Sequence, residues 1–187
     1  NGKSYAMPPS IGGMVAAEYA AAEAQVKQLL TPGQMQGHKL NELVATICRP
    51  KKTLEQMKEA DWDGDCRERF NSARVEATAK EFRCLSINIK MAVLKWFLDN
   101  LKAHQRTYKM LWDDKSDATP SAAGKALESF GFYKVLMDLA ETQVFGDWEK
   151  TNFTTVTTIF TYLVNKRLSG IEQARLLRER ERSQQHG

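Results

Sequence analysis

The run Asp61-Trp62-Asp63-Gly64-Asp65 sets three carboxylates at alternate positions around a glycine, the composition of a calcium loop. The register fails. With Gly64 at the sixth loop position, Glu59 stands first and Phe70 stands twelfth, where a bidentate glutamate is needed; with Asp61 first, Cys66 falls at the glycine position. The run therefore reads as an exposed acidic turn, with Asp65 either capping the helix that follows or pairing with Arg67 or Arg69. The histidines His38, His104 and His186 are scattered, and none belongs to a metal-binding pair, a nucleophile elbow or a Cys-His arrangement. Gly12-Gly13 lacks the Lys-Ser/Thr continuation of a phosphate loop and a strand before it. Cys48, Cys66 and Cys84 are odd in number with no CxxC spacing, so they read as small buried or half-buried thiols of a reducing compartment rather than a disulfide framework or a zinc site. The sequence points away from an enzyme, and it calls for no catalytic residue, cofactor or metal.

The charged tail is the other chemical feature. From Lys166 onward six Lys or Arg face three Glu, a local +3, while residues 1–165 hold 21 against 20. Arg175, Arg178, Arg180 and Arg182 alternate with Glu172, Glu179 and Glu181. On a helix that pattern gives i to i+3 and i+4 pairs and a solvated face, and each interleaved glutamate subtracts from attraction to phosphate. Trp62, Trp96, Trp112 and Trp148 read as core or interface anchors rather than base-stacking platforms.

The elements that position these residues are helical. A chain of 187 residues, 42% hydrophobic and 27% charged with 5 Pro and 11 Gly, is long enough for one domain with a real core and unlike collagen, low-complexity or wholly disordered sequence. Its net charge of +4 falls short of a dedicated nucleic-acid-binding surface. No uninterrupted apolar run reaches membrane-spanning length. Asn152-Phe-Thr matches a glycosylation acceptor, but without a secretory signal the match is read as accidental. A start at Asn1 rather than Met fits a processed product, a trimmed chain or part of a longer one equally.

Residues 1–13, with Pro8 and Pro9, read as an extended arm that needs a partner or a groove to be ordered. A helical domain over 14–168 follows, and a charged helical tail over 169–187. Within the domain the alanine-rich stretch Met14 to Leu30 predicts a helix with Val15, Tyr19, Val26, Leu29 and Leu30 on one side. Thr31-Pro32 suits the start of the next, over 33–48, which ends before Pro50. Residues 51–71 read as a surface loop with one short helical turn at 54–59. The two adjoining apolar stripes of 72–111 (Phe82, Leu85, Ile89, Val93 and Phe97 in one, Ile87, Met91, Leu94 and Leu98 in the other) predict the central, organising helix, bent near 83–86. A break over 113–120 leads to a helix over 121–142, weak at Gly131. Gly146 is its stop and Asp147 the next cap. TNFTTVTTIFTYLV is β-branched, yet Phe153, Val156, Ile159, Phe160, Leu163 and Val164 recur at three and four, so 149–168 is expected to be helix. The fold class is all-α: about six helices around one long central helix.

Three stretches in this order resemble tail proteins of tailed bacteriophages: Lys39-Leu-Asn-Glu-Leu-Val-Ala-Thr-Ile-Cys-Arg-Pro-Lys-Lys, Asp63-Gly-Asp-Cys-Arg-Glu-Arg-Phe-Asn, and Phe132-Tyr-Lys-Val-Leu-Met-Asp-Leu-Ala-Glu-Thr-Gln-Val-Phe-Gly-Asp followed by Thr155 to Tyr162. Together they span roughly residues 35–168, and the resemblance is to the small helical tail-assembly-associated proteins of phages and prophages from the Bacteroidetes. It implies a non-enzymatic protein that binds other phage tail proteins, as a virion structural component or a tail assembly chaperone. It implies a homo-oligomer or ring neighbour, no membrane, and a place in the host cytoplasm during assembly or in the virion. The arm residues Tyr5, Pro8 and Pro9 and the tail residues Leu176, Leu177, Arg178 and Arg180 are the interface candidates. The alternative is a nucleic-acid-binding or packaging-associated protein using the basic tail.

Overall fold

The computed structural model describes residues 2–31, 37–60, 62–111 and 131–185. Asp61, Trp112, His186, the expected first helical position at Pro32, the break over 113–120 and the first part, 121–130, of the helix expected over 121–142 lie outside them. The described residues are mostly helical, with one two-stranded sheet, as an all-α fold requires. Among the described residues seven α-helices run α1 Ala16–Leu30, α2 Gly37–Ile47, α3 Ser72–Glu81, α4 Ile87–Thr107, α5 Phe132–Glu141, α6 Trp148–Phe153 and α7 Val156–Gln185.

The centre differs from the expectation. α1 and α2 pack on each other and form the middle, with α3 and α4 against α2 and with α5, α6 and α7 against α1. Alanines make this possible: Ala16, Ala20 and Ala22 are buried, and their small side chains let neighbouring backbones approach α1 closely. Leu30, expected on the apolar side of that helix, is exposed. The stretch 72–111 is two helices rather than one organising element. A 3-10 turn at Phe82–Cys84 separates α3 from α4, and Phe82 turns inward there, its ring 4.9 Å from that of Tyr5. On α4 only Val93 and Phe97 of the two predicted stripes are fully buried, while Ile87, Ile89 and Met91 face outward.

The β-branched segment is helical, but in two pieces. Thr154 and Thr155 stay extended because they pair with the entry to α1: Ala16 N–H donates to Thr154 O and Val156 N–H donates to Met14 O, both at 2.9 Å. Local capping elsewhere follows the sequence. Gly146 takes φ of 100°, which suits glycine, and the Asp147 side chain accepts from Lys150 N–H at 2.8 Å to start α6. Asn71, not Asp65, caps α3, accepting from Ala73 N–H at 2.9 Å.

The arm finds its groove within its own chain. β1 (Tyr5–Ala6) pairs antiparallel with β2 (Arg49–Pro50), Tyr5 opposite Pro50 and Ala6 opposite Arg49, and Ile11 and Met14 sink into the core.

A ring cluster closes the core. Phe160 stacks on Phe132 at 5.4 Å and meets Tyr19, His104 and Tyr108 edge-on or tilted. His104 is buried there, and its Nε2 has no hydrogen-bond partner among the described residues, so burial holds its pKa below the ordinary histidine value. The unfolded chain therefore binds a proton that the folded chain refuses, and stability is expected to fall as pH drops below about 6.5. Urea unfolding of the native chain and of His104→Phe at pH 7.5 and pH 5.5 checks this. The native chain should lose more stability between the two conditions than the variant, and equal losses would contradict it.

Candidate functional site

Two features of the structure concentrate exposed or unusual chemistry. The first is a charge cluster where α1 meets the loop between α2 and α3. Glu18 of α1 is fully buried, and Arg67 is only 1% exposed. Arg67 Nη1 donates to Glu18 Oε1 at 2.6 Å, and Arg49 Nη2 donates to Glu18 Oε2 at 3.1 Å. Asp65 accepts from both arginines, from Arg67 Nη2 at 2.8 Å and Arg49 Nη2 at 2.7 Å, and from the Arg67 backbone N–H at 2.9 Å. Arg49 Nη1 also donates to Glu68 O. Burial pushes the Glu18 carboxyl up against the pull of Arg49 and Arg67. For Asp65 burial acts in the same direction but is outweighed by the Arg67 side chain and backbone N–H and by the charges of both guanidiniums, leaving it below the ordinary carboxylate range.

The cluster has a structural consequence. With the backbone bonds from Lys52 N–H to Cys66 O and from Glu68 N–H to Pro50 O, both 2.8 Å, it latches both ends of the 51–66 loop to α1. The acidic turn is thereby explained: Asp65 pairs with Arg67, as one of the expected alternatives had it, and with Arg49. Arg69 instead bonds Glu149 at 2.9 Å and lies over the Phe153 ring. Glu18 and Arg49 escaped the sequence reading. The available signal was the position of Glu18, four residues before Ala22 and eight before Val26, on a row that the structure buries.

The second feature is the overhang of α7. Its first turns, through Val156, Ile159 and Phe160, belong to the core, whereas every residue from Leu168 to Gln184 is exposed. At 1.5 Å per residue that stretch is roughly 25 Å long. Leu176 and Leu177 are 44% and 57% exposed, and Leu168 and Ile171 are exposed as well. Glu172 and Glu179 both pair with Arg175, at 3.2 and 3.5 Å, while Arg178, Arg180 and Arg182 make no ion pair among the described residues.

Comparison with protein-family models, curated proteins and solved structures finds no match for this chain.

The seven interface candidates are therefore placed by geometry alone. Tyr5 is committed within the chain: its ring packs on Phe82 and its hydroxyl donates to Glu81 at 2.9 Å, beside Lys3, which pairs with the same carboxylate. Pro8 is buried and Pro9 exposed. Leu176, Leu177, Arg178 and Arg180 all lie on the overhang. Trp62 and Trp148 are largely exposed, while Trp96 is half-buried against the core. Of the thiols, Cys48 is half-buried and pushed up to about 11 by that burial, whereas Cys66 and Cys84 are exposed, contrary to expectation. No described helix is long and apolar enough to cross a membrane.

Proposed function

We propose that the protein acts without catalysis, by binding other proteins, and that it does so as a tail structural component or a tail assembly chaperone of a tailed bacteriophage. The observation that carries the binding part is the overhang of α7. Helices in folded proteins gain most of their stability from packing an apolar face, yet Leu168, Ile171, Leu176 and Leu177 are exposed among the described residues. At 100° per residue these four side chains are spread around the helix rather than aligned in one seam, which favours contact on more than one side, as when several subunits surround it. The phage identity rests on the resemblance of residues 35–168 alone. Leu176, Leu177, Arg178 and Arg180 are the contact residues in this reading, and a second copy of the chain or another tail protein is the partner.

Deleting residues 169–187 tests it. The shortened protein is expected to keep its thermal midpoint, because residues 169–184 are all exposed, and to lose self-association and capture of tail proteins in light scattering and co-purification. Unchanged assembly after the deletion would refute the role of the tail. Arg178, Arg180 and Arg182, which have no ion pair among the described residues, favour the nucleic-acid alternative, and salt separates the two. Contact with phosphates weakens steeply as salt rises, with a slope of about −0.9 per phosphate neutralised on duplex DNA, whereas apolar assembly does not weaken in this way.

A further inference from the structure

We propose that the recess between β2 and α3 binds an oxyanion, a carboxylate or phosphate group carried by a ligand, through Arg49, Arg69 and Arg74. This goes beyond the assembly reading and does not depend on it. Three arginines and one carboxylate, Glu68, line the recess. Its volume is about 40 Å³, room for about three water-sized groups, which suits a head group of a few heavy atoms. Phe70, Val75 and Pro50 supply an apolar wall. The recess opens into a wider cleft of about 750 Å³ that shares Arg49, Arg69 and Arg74 and continues past Trp62 and Phe153, so the remainder of a larger ligand has somewhere to lie.

The second observation concerns Arg49 itself. Its side chain is 6% exposed, its two terminal nitrogens are engaged by Glu18, Asp65 and the Glu68 carbonyl, and its buried Nε–H has no acceptor among the described residues. That nitrogen is sealed from solvent, so it reports on the recess that Arg49 lines, while Arg69 and Arg74 supply the donors that face an oxyanion there. Arg69 and Arg74 are available for exchange. Their present partners, Glu149 at 2.9 Å and Glu68 at 3.3 Å, form solvent-exposed pairs, which contribute little. The positive end of α3 adds to the same field, since Asn71, its cap, also lines the recess. Arginine's planar fork of donors matches carboxylate and phosphate alike.

The test is titration of the full chain with inorganic phosphate and, separately, glutarate, with chloride at matched ionic strength as control. It is followed through the arginine Nε–H resonances in two-dimensional NMR. Saturable movement of the Arg49 Nε–H signal by phosphate or glutarate but not by chloride is expected, with affinity at least fivefold weaker in Arg69→Gln and in Arg74→Gln. Both substitutions are at exposed positions, and an unchanged thermal midpoint verifies that the variants fold. A response to phosphate alone assigns a phosphoryl ligand, and one to glutarate alone assigns a carboxylate such as an acidic side chain. The absence of saturable movement with either anion, or an affinity in both variants unchanged from that of the native chain, would overturn the site.

Discussion

Glu18→Ala is expected to destabilise the protein by about 3–5 kcal/mol, near the upper end for any single substitution. Removing the carboxylate leaves two guanidiniums, Arg49 and Arg67, in the interior with Asp65 as their remaining charged partner. The cost is that of stranded charge rather than of lost attraction. Two companion variants separate these. Glu18→Gln keeps the shape and an acceptor but no charge, and should fall between alanine and the native residue. Glu18→Leu combined with Arg49→Met, Arg67→Met and Asp65→Asn removes the cluster's charges together and should recover much of the loss, because replacing a whole buried ion cluster by uncharged groups is often neutral or better. Urea unfolding reads all three, with the midpoint reporting stability and the slope the surface exposed. A loss below about 1 kcal/mol for Glu18→Ala would show that the arginines find water or other partners, and that the latch is not buried in solution. The pH dependence adds a sign. Asp65 titrates lower folded than unfolded, so its contribution is complete above about pH 4 and disappears as pH falls through its folded value.

The second large effect is at Phe160. Truncation to alanine empties the middle of the ring cluster formed with Tyr19, His104, Tyr108 and Phe132, at a cost of about 3–5 kcal/mol. For a chain of this size that corresponds to a thermal midpoint lower by roughly 6–20 °C. Ring pairs account for part of the loss beyond area alone, about 0.5–1.5 kcal/mol each, so Phe160→Leu, which restores most of the volume but no ring, should recover only a portion. Scanning calorimetry measures both. Equal midpoints for the leucine variant and the native chain would mean that ring geometry contributes nothing here.

Which of these features the sequence discloses follows from the range of the interactions involved. The α2 helix is legible because Leu40, Leu43, Val44 and Ile47 recur at helical spacing and the structure buries all four. The stop at Gly146 and cap at Asp147 are legible because each acts within four residues. The buried side of α1 is not, since alanine carries little hydrophobic signal and Glu18 reads as a surface residue until two arginines from 31 and 49 positions away are brought to it. The division of the β-branched segment at Thr154 is hidden for the same reason: its cause is Met14 to Ala16, far back in the chain. The apolar turns at the start of α4 mislead in the opposite sense, because Ile87 and Met91, and Ile89 and Val93, have helical spacing, yet Ile87, Ile89 and Met91 are exposed among the described residues. For the candidate sites, the tail is visible as a charge pattern, while the oxyanion recess draws on a strand, a loop and a helix and has no linear signature.

The bridge between Met14–Ala16 and Thr154–Val156 also constrains when the protein can finish folding. Its two halves lie some 140 positions apart in the order of synthesis, and a ribosome adding about 5–20 residues per second leaves the first half waiting roughly 7–28 s for the second. During that interval Ile11, Met14 and Tyr19, all buried in the finished core, have no Phe160 to close over them. Long-range closure of this kind slows folding and prolongs exposure of apolar surface. The entry to α1 thus waits for a partner made some 140 residues after it.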